Sequence, residues 1–191
     1  MGENENWLAS NWGYVVLGVV GGVIALWLIT ILTAFTFSSI FRSSLKKQSD
    51  AVNLLLTQRR DSMIAIIKIF VKHKIEVSPE DVKSINKLER IDNFQALSKD
   101  ERDEKVLTFV HGSHNILNLA DLHEEVKNDE EFELAVNLFN DVEAAYRKKV
   151  SAYNSKVLGF NYWIKIPTTK FIFKLFKCTD TDLIFCYICL K

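Results

Sequence analysis

The sequence predicts an all-α protein: an N-terminal transmembrane helix followed by an elongated antiparallel helical bundle. Three observations carry this. No charged residue stands between Glu5 and Arg42, proline is confined to two positions in 191 residues, and the apolar residues after Ser38 recur at helical spacing.

Tyr14 to Phe37 is almost wholly apolar, and a helical span needs roughly 20 such residues. A single soluble domain of this size could scarcely cover so long an uncharged helix. The leading segment carries Glu3 and Glu5 rather than basic residues, and no small-residue cleavage site follows, so a retained anchor is expected rather than a signal peptide. The expected organisation is a short extracytoplasmic N-terminus (1–11), a transmembrane helix (12–41), a cytoplasmic helical bundle (42–160) and an aromatic and basic segment (161–191).

Lysine and arginine set the expected orientation. None precedes the span, whereas Arg42, Lys46 and Lys47 follow it, which places the C-terminal side in the cytoplasm of a single-pass cell-membrane protein. Trp7 and Trp12 suit the outer interface, where a ring with a polar tip is favoured. Gly18 and Gly22 form a GxxxG pair beside Gly21, a spacing that lets two helix backbones approach closely in lipid and so permits self-association.

Net charge is zero, yet the charges are segregated. Basic residues dominate from Arg42 to Lys74, acids from Glu76 to Glu143, and every charge from Arg147 to Lys177 is positive. Both basic parts suit an anionic inner leaflet, with the acidic middle projecting away.

Ser38 to Val77 reads as one long amphipathic helix, with Leu45, Val52, Leu56, Met63, Ile66, Ile67 and Phe70 on its apolar side. Ser78, Pro79 and Asp81 mark the start of a short helix reaching about Ile91, with Ser78 as N-cap. Asp92 and Asn93 punctuate the chain before Ser98 and Glu101 form a Ser-x-x-Glu capping box. The helix that follows bears Val106, Phe109, Val110, Ile116, Leu117 and Ala120. A last stripe, Phe132, Val136, Phe139, Val142, Tyr146, Val150, Tyr153 and Val157, averages close to the coiled-coil period of roughly 3.5. Gly159 is placed to end that helix as a left-handed cap. Beyond it, Lys170, Lys174 and Lys177 beside Phe171, Ile172, Leu175 and Phe176, with Phe173 nearer the boundary, fit either an interfacial helix or a bundle helix.

Three passages resemble the LemA family, bacterial proteins with one N-terminal transmembrane helix and a cytoplasmic helical bundle. The segment LLLTQRRDSMIAIIK, with Arg59, Arg60 and Asp61, resembles the family's basic-pair stretch. LADLHEEVKNDEEF, with Leu119, Ala120, Lys127, Glu130 and Phe132, resembles its helix-joining segment. In AYRKKVSAYNSKV, Tyr153 and Asn154 match the second of two tyrosine-asparagine pairs, while Arg147 stands where the first would have asparagine. The resemblance implies the anchored bundle, and it brings no established reaction and no catalytic residues.

Other chemistry has weak support. His111 and His114 are three apart but lack closing ligands, and His123 lies nine residues further on. Cys178, Cys186 and Cys189 offer C-x-x-C spacing with a single further thiol, so reduced thiols are expected rather than zinc or redox chemistry. There is no G-x-S-x-G, P-loop or dinucleotide turn. Basic segments flanking the span, with an acidic centre, argue against nucleic acid. The expected partners are the lipid bilayer and another protein or a second copy, with no cofactor. A non-enzymatic membrane-anchored scaffold is the leading expectation. A membrane-remodelling or pore-forming protein, acting through the glycine-bearing span and the aromatic-lysine segment, is the alternative.

Overall fold

A computed structural model describes residues 3–88, 97–166, 170, 171, 173 and 174, with side chains from Asn11 onward. Its elements are α1 (Glu3–Lys72), α2 (Pro79–Asn86), α3 (Lys99–Asp121), α4 (Glu124–Lys127) and α5 (Glu130–Lys165). No strand occurs among the described residues. The fold is all-α, with one long apolar N-terminal helix. Its described residues divide into two compact units, one holding those up to Ser43 and from Tyr162, the other those from Ser44 to Asn161.

In the first unit the lipid-like part of α1 has its apolar side chains turned outward, and none of its most apolar 18-residue stretch is buried. Packing in this unit is concentrated near Phe37, whose ring meets Phe41 at 5.9 Å and the edge of Trp163 at 6.5 Å. Ser38, Ile164 and Phe173 are buried there.

The second unit is a helical bundle. Lys156 Nζ donates to Ser44 Oγ at 3.1 Å, Arg59 pairs with Glu143, and Lys72 pairs with Glu131. As numbers rise on α1 they fall on α5, so the two run antiparallel. Arg102 shares a cleft with Leu45 and Asp50, and Phe109 lies under Arg59, so α3 runs in the direction of α1. One core joins Val52, Leu56, Met63, Ile66 and Phe70 of α1 to Ile85 of α2, Phe109 and Ile116 of α3, and Phe139, Tyr146 and Val150 of α5. Phe132 and Phe70 meet edge to face, with ring centroids 6.0 Å apart, and close that end.

Local chemistry sets most boundaries. The capping box at α3 forms: Ser98 N–H donates to Glu101 Oε2 at 2.9 Å, and Glu101 N–H donates to Ser98 Oγ at 3.4 Å. The Ser98 hydroxyl also donates to Glu101 Oε2 at 2.7 Å, and that bond, then the one from Ser98 N–H, holds the Glu101 carboxyl below its ordinary pKa. At α2, Pro79 opens the helix as expected, but the Ser78 hydroxyl makes no capping hydrogen bond, and the helix closes at Asn86 rather than near Ile91. Asp92 and Asn93 lie outside the described residues.

Helix α1 stops at Lys72, short of the expected Val77, because Lys74 takes a left-handed conformation with φ 61°. Lys74 N–H then donates to Val71 O and Ile75 N–H to Phe70 O, each at 3.0 Å. This is a Schellman stop, and Ile75 packs back on the core as that motif favours.

Helix α5 corrects two further expectations. Gly159 does not end it, since the helix continues to Lys165 and no described glycine has a positive φ. The division between the two units, after Asn161, falls inside this helix. The buried seam passes through Glu143, while Val142 is only half-buried.

Candidate functional site

The feature with the clearest functional meaning is the outward face of α1. From Tyr14 to Ile40, 15 large apolar side chains are exposed. Leaving them in water costs on the order of 10 kcal/mol or more. The threonine hydroxyls within this stretch are satisfied by the helix itself. Thr30 Oγ1 donates to Leu26 O at 2.8 Å, Thr33 Oγ1 to Ile29 O at 3.0 Å, and Thr36 Oγ1 to Leu32 O at 2.9 Å. Internal satisfaction of this kind is what a hydrocarbon environment demands, because lipid supplies no partner. At about 1.5 Å per residue the stretch is roughly 40 Å long, enough to cross a hydrocarbon layer of about 30 Å with some tilt.

Aromatic and basic residues mark its ends. Trp12 is 64% exposed at the first. Towards the second, Phe35, Phe37, Tyr162, Trp163 and Phe171 are exposed beside Arg42, Lys165, Lys170 and Lys174 in the same unit. An aromatic belt with cations is the composition favoured at a headgroup layer. Phe173 reverses its expected place: it is buried, and Phe171 is the exposed ring. Lys177, Ile172, Leu175, Phe176, Trp7 and the three cysteines lie outside the described residues or side chains. Gly18 and Gly22 have nothing within 4 Å of the position a Cβ would take. Lys46 and Lys47 are exposed on α1 in the bundle unit.

Within the bundle, the family-like positions separate. Arg59 is 1% exposed and Asp61 is on the surface, 3.6 Å from the Arg60 side chain. Arg60 Nη1 instead donates to Leu88 O at 3.2 Å. Phe132 and Tyr153 are core residues, and Asn154 is half-buried.

Arg59 forms the polar centre of the bundle. Its Nε lies 2.7 Å from Glu143 Oε2, an ion pair rather than an aligned hydrogen bond. The guanidinium is stacked between Phe109 and Tyr146, with ring centroids at 5.0 and 4.4 Å. Arg147 Nε donates to Glu143 Oε1 at 3.1 Å from the rim. Two cations thus neutralise one buried carboxylate, while the rings desolvate Arg59 and supply cation–π attraction. Sequence reasoning missed Glu143, although a signal existed. Arg59 fills the seven-residue gap between Leu56 and Met63 in the α1 seam, and such a core cation calls for a facing acid.

A second polar cluster lies where α1 ends and α5 begins. Asp129 Oδ1 accepts from Glu131 N–H at 2.8 Å, capping α5, while His73 Nε2 donates to Asp129 Oδ2 at 2.7 Å. The His73 hydrogen bond, then the Glu131 N–H and the Lys72 charge, hold the Asp129 carboxyl below its usual range. Lys72 Nζ reaches Glu131 at 2.8 Å, which raises its own pKa. His111 and His114 are exposed, and no metal-competent cluster occurs among the described residues.

No protein-family model, curated protein or solved structure matches this chain.

Proposed function

We propose that this chain is a non-enzymatic, single-span membrane scaffold of the LemA type, with its N-terminus outside and its helical bundle in the cytoplasm, offering the bundle to a partner protein or a second copy. One observation carries the reading: α1 exposes a long uncharged surface whose threonine hydroxyls are already satisfied within the helix. The core helix of a soluble protein would be mostly covered, and this stretch is not. Support for the orientation is the basic cluster beginning at Arg42, against no lysine or arginine before the span. Support for self-association is the open Gly18 and Gly22 face. The LemA reading draws on the resemblance around Arg59, Phe132 and Tyr153, three residues that are buried in one unit.

The test is chemical cross-linking in native membranes, combined with a membrane-impermeant thiol label. The chain is expected in the carbonate-resistant membrane fraction, cross-linked to itself or to one recurrent protein, with Cys178 unlabelled until the membrane is opened. Recovery only as a soluble monomer ends the scaffold reading. Labelling of Cys178 in sealed cells inverts the orientation. Dye leakage from liposomes carrying the purified chain would favour the pore-forming alternative.

A further inference from the structure

Three helices of the bundle unit meet at a cleft of about 250 Å³, lined by Leu45, Lys46, Ser49 and Asp50 of α1, Arg102 of α3 and Tyr153 of α5. One of its cations has a buried donor, the Nε of Arg102, without an acceptor among the described residues. Leaving such a group without an acceptor costs roughly 1–3 kcal/mol, and more when it is charged. Among the described residues neither Lys46 nor Arg102 forms a side-chain ion pair, whereas Asp50 and Tyr153 have partners of their own. The one acid of the cleft therefore does not supply Arg102 Nε with the acceptor it lacks.

Two cations and one carboxylate leave the cleft with a single formal positive charge. A guanidinium fork, a mobile ammonium and the Ser49 hydroxyl are the donors that phosphate oxygens accept from. A dianionic phosphate would meet Asp50 with uncompensated repulsion, while a monoanion balances the site. The volume also admits more than a bare ion.

We propose that this cleft binds a singly charged phosphodiester, supplied by the headgroup of an anionic glycerophospholipid. Lys46 stands in sequence four residues after Arg42, the first charge beyond the uncharged stretch. The lipid as source rests on the membrane-anchored reading; recognition of the phosphodiester does not.

The full-length chain, held in zwitterionic phosphatidylcholine nanodiscs, provides the test. Phosphatidylglycerol is added in one arm, soluble glycerophosphoglycerol in a second and inorganic phosphate in a third. Retained lipid is read by native mass spectrometry, and unfolding by circular dichroism. Wild type is expected to retain one phosphatidylglycerol per chain in preference to phosphatidylcholine, with the soluble diester competing for it and inorganic phosphate doing so far less. Arg102→Gln lowers retention about tenfold and Lys46→Gln severalfold, while Lys83→Gln on α2 leaves it unchanged. Should Arg102→Gln lose its helical spectrum, Lys46→Gln decides.

Equal retention by wild type and the deciding variant overturns the site, as does equal retention of both lipids. Inorganic phosphate competing as well as the diester overturns the ligand class. If the chain does not stay with membranes but binds the soluble diester through Arg102, the cleft stands and the anchored reading falls.

Discussion

The two halves of α1 belong to one continuous helix and obey opposite rules. Between Trp12 and Ile40 there is no charge, and large apolar side chains are exposed on every side of the helix. Between Leu45 and Phe70 the buried side chains gather along one seam, and the charged residues other than Arg59 stand outside it. The difference shows that apolar content and apolar arrangement are separate signals. Content without a preferred face suits a lipid solvent, whereas a narrow seam suits helical partners. The bundle half also admits what the other half excludes, a charge at a buried position: Arg59, matched by Glu143 and covered by Phe109 and Tyr146.

The largest effect on this contrast is expected from breaking the buried pair. Glu143→Ala strands the Arg59 charge and should destabilise the bundle by about 3–5 kcal/mol in chemical denaturation of the full chain in detergent. The double replacement Arg59→Met with Glu143→Leu should recover most of that loss. If it does not, the ion pair contributes more than charge compensation.

Slightly smaller is the effect of placing a charge in the uncharged half. Leu26→Arg should disfavour insertion by about 2.5–3.5 kcal/mol and move protein out of the carbonate-resistant fraction. An unchanged membrane fraction would mean that this face is covered by protein rather than lipid.

At the contact of α2 with α3, a Cβ on Gly112 would come 2.9 Å from Ser84 Cβ and 3.2 Å from Asp81 O. Gly112→Val should therefore force the helices apart at about 1–3 kcal/mol, read as a lower denaturation midpoint. Lys74→Gly works in the other direction. The left-handed φ of 61° disfavours a side chain, so glycine should stabilise by up to about 1 kcal/mol in the same assay.

The smallest effect concerns pH. The Asp129 carboxyl is held below its ordinary pKa by His73, Glu131 N–H and Lys72, so its stabilising contribution is complete above the unfolded carboxyl value near 3.9. That contribution is lost as pH falls through the folded value. Asp129→Ala should flatten the acid limb of a stability profile, and an unaltered limb would show that the cap carries no linked protonation.

Helix identity was widely legible because it depends on neighbours along the chain. Ser98 with Glu101, Pro79, and the stripe from Phe132 to Val157 each announce local geometry. The stop at Lys74 was hidden, since lysine there gives none of the signal a glycine would. Gly159 misled for the converse reason: the seam continues past it through Phe160, and packing outweighs a single glycine's weak helix propensity. Glu143 was missed because an acid inside an apolar stripe looks like an interruption until its partner is found.

By itself the sequence determined the all-α class, the long uncharged helix and the register of most apolar seams, all properties set by composition and spacing. Tertiary structure alone decided that Arg59 faces Glu143 between two rings, that Asp129 both caps α5 and holds His73, and that Lys46, Arg102 and Tyr153 line one cleft. These pairings join residues far apart in the chain. Periodicity gives the face a residue occupies, and only the packing of one helix against another selects what stands opposite it.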